Sequence, residues 1–88
     1  MTWTIKVRDS VRKTIKKLDQ QNRSRIVNFL NRDLLLLDNP RQSGKALTGK
    51  FKGMWRYRVG DYRIICEIID DELVVVAIEI EHRSKVYK

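Results

Sequence analysis

The ten residues "WRYRVGDYRI", Trp55 to Ile64, constrain the fold more than any other stretch. Side chains on a strand alternate between its two faces. Trp55, Tyr57 and Val59 therefore fall on one face, and Arg56 and Arg58 on the other. Gly60-Asp61 reads as a turn, and "YRIICEII" reads as a second strand, so the stretch is an antiparallel hairpin. Arg63 joins Arg56 and Arg58 if the register allows. Burying an unpaired cation costs several kcal/mol or more. A hairpin with three arginines therefore stays open on its basic face and needs cover only on its apolar one.

The rest of the chain supplies that cover. "TWTIKV" alternates as a strand, with Trp3, Ile5 and Val7 on one side. Val11, Ile15 and Leu18 then recur at helical spacing, which predicts a helix over about Ser10 to Gln20, capped by Asp9 or Ser10. "QQN" at 20–22 reads as a break. A second helix is expected from about Arg23 to Leu37, with Ile26, Phe29, Leu30, Leu34 and Leu37 as its apolar stripe. Asp38-Asn39-Pro40 ends it, because the residue before proline disfavours helical geometry. Residues 41–53 read as a loop. After the turn at "DDE" (70–72), "LVVVAIEI" is apolar on both faces, as a central strand is. The predicted order is β-α-α-β-β-β. This is an α+β fold: one compact domain over residues 1–88, with a helical hairpin on one face of a largely antiparallel four-stranded sheet.

Composition then narrows function. Lys and Arg number 19 against 11 Asp and Glu, a formal net charge of +8. Most of the acids gather between Asp61 and Glu81, so the charge is polarised. A small, strongly basic chain suits a polyanionic partner, nucleic acid above all. The longest apolar run, Leu34 to Leu37, is far short of a membrane span. "MTWTIKV" has no leader character, and the single Cys66 allows no internal disulfide, so a cytoplasmic protein without membrane association is expected. One Cys and one His do not make a structural zinc site, so no metal or other cofactor is expected. Cys66 itself reads as core.

"GKALTGKF" (Gly44 to Phe51) mimics the start of a phosphate-binding loop. Phe51 stands where Ser or Thr should hold magnesium, and the segment leads from a helix into a strand, the reverse of the required order. Lys45, Lys50 and Lys52 are instead candidates for direct phosphate contact. Arginine suits phosphate because its planar guanidinium donates bidentately and keeps its charge. The alternative for the basic strand face is simple solvation, with Arg63 paired to Glu67 or Glu79. At the C-terminal end, His82 is a candidate acid, base or RNA contact. Tyr87, near arginines, is a candidate for a lowered phenol pKa or for base stacking.

The segment "NPRQSGKALTGKFKGMWRYRVGDYRIICEI" and the ending "HRSKVY" resemble the RelE toxins of bacterial and archaeal toxin–antitoxin pairs, within the RelE/ParE toxin superfamily. The resemblance spans nearly the whole chain. It implies a type II toxin that is a ribosome-dependent endoribonuclease, an mRNA interferase cutting in the A site. It also implies two sets of partners: a RelB-like inhibitory antitoxin in a hetero-oligomer, and the ribosome with its mRNA. It carries the family's catalytic set onto Arg56, Arg58, Arg63, Arg83 and Tyr87. Some members have lysines where Arg56 and Arg58 stand, and the spacing from Arg83 to Tyr87 is shorter here.

Metal-independent RNA cleavage needs a group to take the 2′-OH proton, cations for the phosphorane charge, and an acid for the 5′-oxygen. Arginine stays protonated and makes a poor base. Tyr87, or His82 if it turns inward, is the better base candidate. Arg58 and Arg63 would hold the phosphate, and Arg83 would serve the leaving group. Two alternatives stay open: a ParE-like poison of DNA gyrase, which shares the fold, and a non-catalytic RNA-binding module.

Overall fold

The computed structural model describes residues 2–82. The chain runs β1 (Thr4–Val7), α1 (Asp9–Lys16), α2 (Gln20–Asn28), β2 (Lys45–Ala46), β3 (Trp55–Val59), β4 (Tyr62–Ile69) and β5 (Val74–His82). The sheet order is β1-β5-β4-β3-β2. Only the β1–β5 pairing is parallel; the other three are antiparallel. The expected α+β architecture is present. A fifth strand, two residues long, adds to the four expected: Lys45 and Ala46 pair with Arg56 and Trp55.

The two helices differ from expectation at their ends. Neither Asp9 nor Ser10 caps α1; Arg8 holds the cap position and gives no side-chain bond. The capping acid is Asp19, whose carboxylate accepts from the Asn22 N–H, so Gln20 to Asn22 begin α2 and do not break it. An N-cap needs extended backbone at the start of the helix, and Asp19 supplies it at φ −61°, ψ 158°. The long second helix also changes character. Its α part ends at Asn28, a π turn covers Phe29–Asp33, and a 3-10 turn covers Leu34–Leu36. Ile26, Leu30 and Leu34, spaced by four, are all buried. Four residues overshoot one α turn, and the wider π turn brings Leu34 back to the core side.

The core lies between the helices and one sheet face. It joins Val11, Ile15, Ile26, Leu30 and Leu34 to Tyr57, Ile64, Cys66, Val75 and Ala77. Trp3, Ile5, Val7, Trp55 and Val59 pack around it, as their alternation requires. Within β4–β5 the register slips between Ile65 and Cys66, whose partners are Glu79 and Ala77, so Ile78 is the extra residue of a bulge.

The connection after α2 is tied down from several sides. The Tyr57 hydroxyl, buried in the core, donates to the Pro40 carbonyl. Arg41 forks onto Asp70 with bonds of 2.6 and 3.0 Å and lies 6.0 Å from the Trp55 ring centre. The Trp55 indole donates to the Ser43 carbonyl at 2.6 Å. Together these seat β2 beside β3 and fix Lys45 opposite Arg56.

Candidate nucleic-acid interface

Residues directly opposite one another in a sheet share a face, about 5 Å apart. Arg58 stands opposite Arg63, and Arg63 opposite Glu81. The next row on the same face runs Lys45, Arg56, Ile65, Glu79. Four cations therefore occupy two adjacent rows, and the acids come only at the β5 end. Like charges placed directly opposite destabilise a sheet. Arg58 facing Arg63 is such a like-charge pair, with Glu81 on the other side of Arg63. Contrary to the sequence expectation, the face is not open throughout: Ile65, between Arg56 and Glu79, is 1% exposed, and Val74 on the same side is 7% exposed.

The burial of the cations differs. Arg58 is exposed, whereas Arg56 and Arg63 are half-buried. Arg58 occupies the stretch of β3 beyond β2, so it sits at the sheet's margin. Besides belonging to the open-face row, it lines a cleft with Arg25, Phe29 and Arg32 of the second helix.

The remaining sequence candidates scatter. Lys50 places its Nζ 5.0 Å from the Phe51 ring centre, and Lys52 is exposed at the end of the same turn. "GKALTGKF" forms β2 and a 3-10 turn leading to a strand, a geometry unlike a phosphate-binding loop before a helix. His82 packs edge-on against Tyr62, with ring centres 4.9 Å apart. Tyr62 and His82 are paired across β4–β5, in the row beyond the Arg63–Glu81 pair and on the other face from it. That contact turns the imidazole away from the arginine rows. Arg83 and Tyr87 lie outside the described residues.

Two groups can be excluded as proton acceptors on physical grounds. Burial pushes the Tyr57 phenol well above its ordinary pKa, and its hydroxyl is already committed to Pro40. Burial likewise pushes the Cys66 thiol up to about 12. Glu81 is a carboxylate that the sequence reading missed. It stands across from Arg63 and can accept a proton or orient the guanidinium. Only the register reveals this, because Glu81 is eighteen residues away along the chain.

Comparison with known proteins fits this fold. Residues 3–87 match the family described as the ParE toxin of type II toxin–antitoxin systems, parDE. The chain belongs to that family of small toxins. The toxin RelG of Mycobacterium tuberculosis is 28% identical over 88 residues, covering 100% of this chain and 99% of RelG. The toxin RelE of the same organism is 40% identical over 53 residues, which are 60% of this chain and 55% of that protein. The toxin–antitoxin complex RelBE2 from M. tuberculosis contains a chain that superposes with a TM-score of 0.82 at 27% identity, covering 96% of this chain and 94% of that one. A free E. coli RelE mutant shares the fold, with a TM-score of 0.73 at 23% identity over 99% of this chain and 92% of its own.

Proposed function

We propose that this toxin is a ribosome-dependent endoribonuclease that cuts mRNA in the A site and is held in check by a RelB-like antitoxin. The observation that carries this reading is the pairing of Arg58 with Arg63, flanked by Arg56 and Lys45, on one sheet face. Such a face suits a phosphodiester, which takes bidentate guanidinium bonds on its non-bridging oxygens. The RelE-like relatives and the RelBE2 likeness favour an RNA-cutting reading with an antitoxin partner.

In the proposed reaction the ribose 2′-oxygen attacks the adjacent phosphorus and the 5′-oxygen leaves. The products are a 2′,3′-cyclic phosphate and a 5′-hydroxyl. Arg58 and Arg63 hold the phosphate and spread the charge that builds on it. Arg56 orients the neighbouring backbone, with Lys45, Lys50 and Lys52 carrying more distant phosphates. Arg83 serves the leaving oxygen. Tyr87 takes the 2′-OH proton, and Glu81 is the second candidate because it stands opposite Arg63 across β4–β5. Loss of cutting in Tyr87→Phe with retention in Glu81→Gln assigns the base to the tyrosine, and the converse assigns it to the glutamate.

A site with abundant cations and a weak base gains most from an externally oriented substrate. The ribosome can hold the 2′-oxygen, phosphorus and 5′-oxygen in line, and orientation of this kind contributes several kcal/mol. Little cutting of naked RNA is expected, and the protein acts in the cytoplasm. Brief induction in cells followed by mapping of mRNA 5′ ends tests the reading. Cuts at fixed codon positions in translated messages support it; DNA breaks with intact mRNA would mark a gyrase poison instead.

A further inference from the structure

A second basic site lies outside the sheet face. A cleft of about 390 Å³ opens between the second helix and the β3–β4 hairpin, lined by Arg25, Asn28, Phe29, Arg32, Asp33, Arg58 and Val59. Three arginines and one aspartate thus line it. Asp33 is taken by Arg32 at 3.2 Å. Among the described residues no acid pairs with Arg25. The Arg58 Nε makes only a long 3.5 Å bond to the Gly60 carbonyl.

The approach of the two elements is tight. The Arg25 Nη1 stands 3.4 Å from where a Cβ on Gly60 would be, and Gly60 turns the hairpin at φ +60°. The backbone is also specialised here. Phe29, Arg32 and Asp33 all lie in the π turn, a rare form that recurs at functional sites. The turn presents Arg32 to the cleft while Phe29 stays packed on Tyr57, 5.3 Å between ring centres.

We propose that Arg25, Arg32 and Arg58 form a phosphate-binding subsite for single-stranded RNA, continuing the strand's path from the arginine rows around the margin of β3. Arg58 belongs to both, so one RNA backbone can leave the open face and enter the cleft without a gap in positive charge. The planar forks suit phosphate oxygens. Asp33 offsets only one of the three positive charges, so an anion in the cleft relieves the repulsion that remains. The subsite deepens the RNA reading above but concerns binding alone.

The test uses the full chain and a 2′-O-methyl RNA of about fifteen nucleotides, which cannot be cut by 2′-OH attack. Binding is measured against salt for the native protein, for Arg25→Gln/Arg32→Gln, and for Lys13→Gln/Lys17→Gln. The last pair removes equal charge from exposed positions at and beyond the end of α1. Each single-strand phosphate contact contributes about 0.7 to the slope of log K against log salt, so the arginine pair should lower it by about 1.4. The lysine pair should leave the slope near its native value. An unchanged slope in the arginine pair, an equal fall in both pairs, or no RNA binding by the native protein would each overturn the subsite. So would a loss confined to antitoxin affinity, which would make the cleft a protein-docking surface. Melting curves keep misfolding apart from lost contacts. Absence of codon-specific cuts with the slope effect intact would sink the proposed activity and leave the subsite standing.

Discussion

At the residue scale, Arg63 is the centre of the candidate site. It stands between Arg58 and Glu81, one row from Arg56. Replacing Arg63 with Ala should reduce ribosome-dependent cutting by about 10²–10³-fold, the usual cost of losing one donor aimed at developing charge. Single-turnover cleavage on programmed ribosomes checks this. Cys66 makes a separate prediction about stability. Its ordinary pKa of 9.0 rises to about 12 on burial, because the core disfavours the thiolate. A raised folded-state pKa means that stability is intact below about pH 9 and falls as pH climbs from 9 through 12. Tyr57 acts in the same direction. The urea midpoint should drop over that interval and drop less steeply in Cys66→Ala.

At the element scale, β2 is small but decisive, because it delivers Lys45 to Arg56. Gly44 makes that possible. It holds φ +82°, and a Cβ there would collide with the Arg56 carbonyl and lie 2.6 Å from the Trp55 Nε1. Gly44→Ala should therefore cost at least about 1–3 kcal/mol in backbone strain and part β2 from β3. Hydrogen exchange at the Arg56 amide, with urea unfolding, checks both effects. The strands of the hairpin were legible in the sequence because period-two alternation is a local signal that burial enforces. The ends of the helices were not. Asp9, Ser10 and Asp19 are all able caps, and which one serves depends on where tertiary packing starts each helix. The π turn leaves no mark in composition, since Ile26, Leu30 and Leu34 also fit an ordinary apolar stripe. Strand β2 was illegible for a different reason: two residues are too few to show a period.

At the scale of the whole molecule, the charge is arranged so that one surface is strongly basic. Arg58 connects the sheet face to the cleft at α2, and the acids of β5 bound the face on its far side. The basic face was legible as alternation, but its closure at Ile65 and the cleft were not. Arg25 and Arg58 are thirty-three residues apart and meet only because α2 crosses the hairpin turn. Glu81 stayed hidden for the same reason, and Arg83 and Tyr87 lie outside the described residues. The long, mostly antiparallel sheet holds these groups on rigid strands, which suits a site whose substrate is oriented elsewhere. The most direct test of the central claim is cleavage of mRNA on purified ribosomes with an open A site, comparing a ribose with a single 2′-deoxy nucleotide at the 5′ side of the cut. The expected result is a cut only on the ribosome and only with the 2′-OH present, leaving a cyclic phosphate. Cutting of the deoxy-substituted message, or an intact message under all conditions, would contradict it.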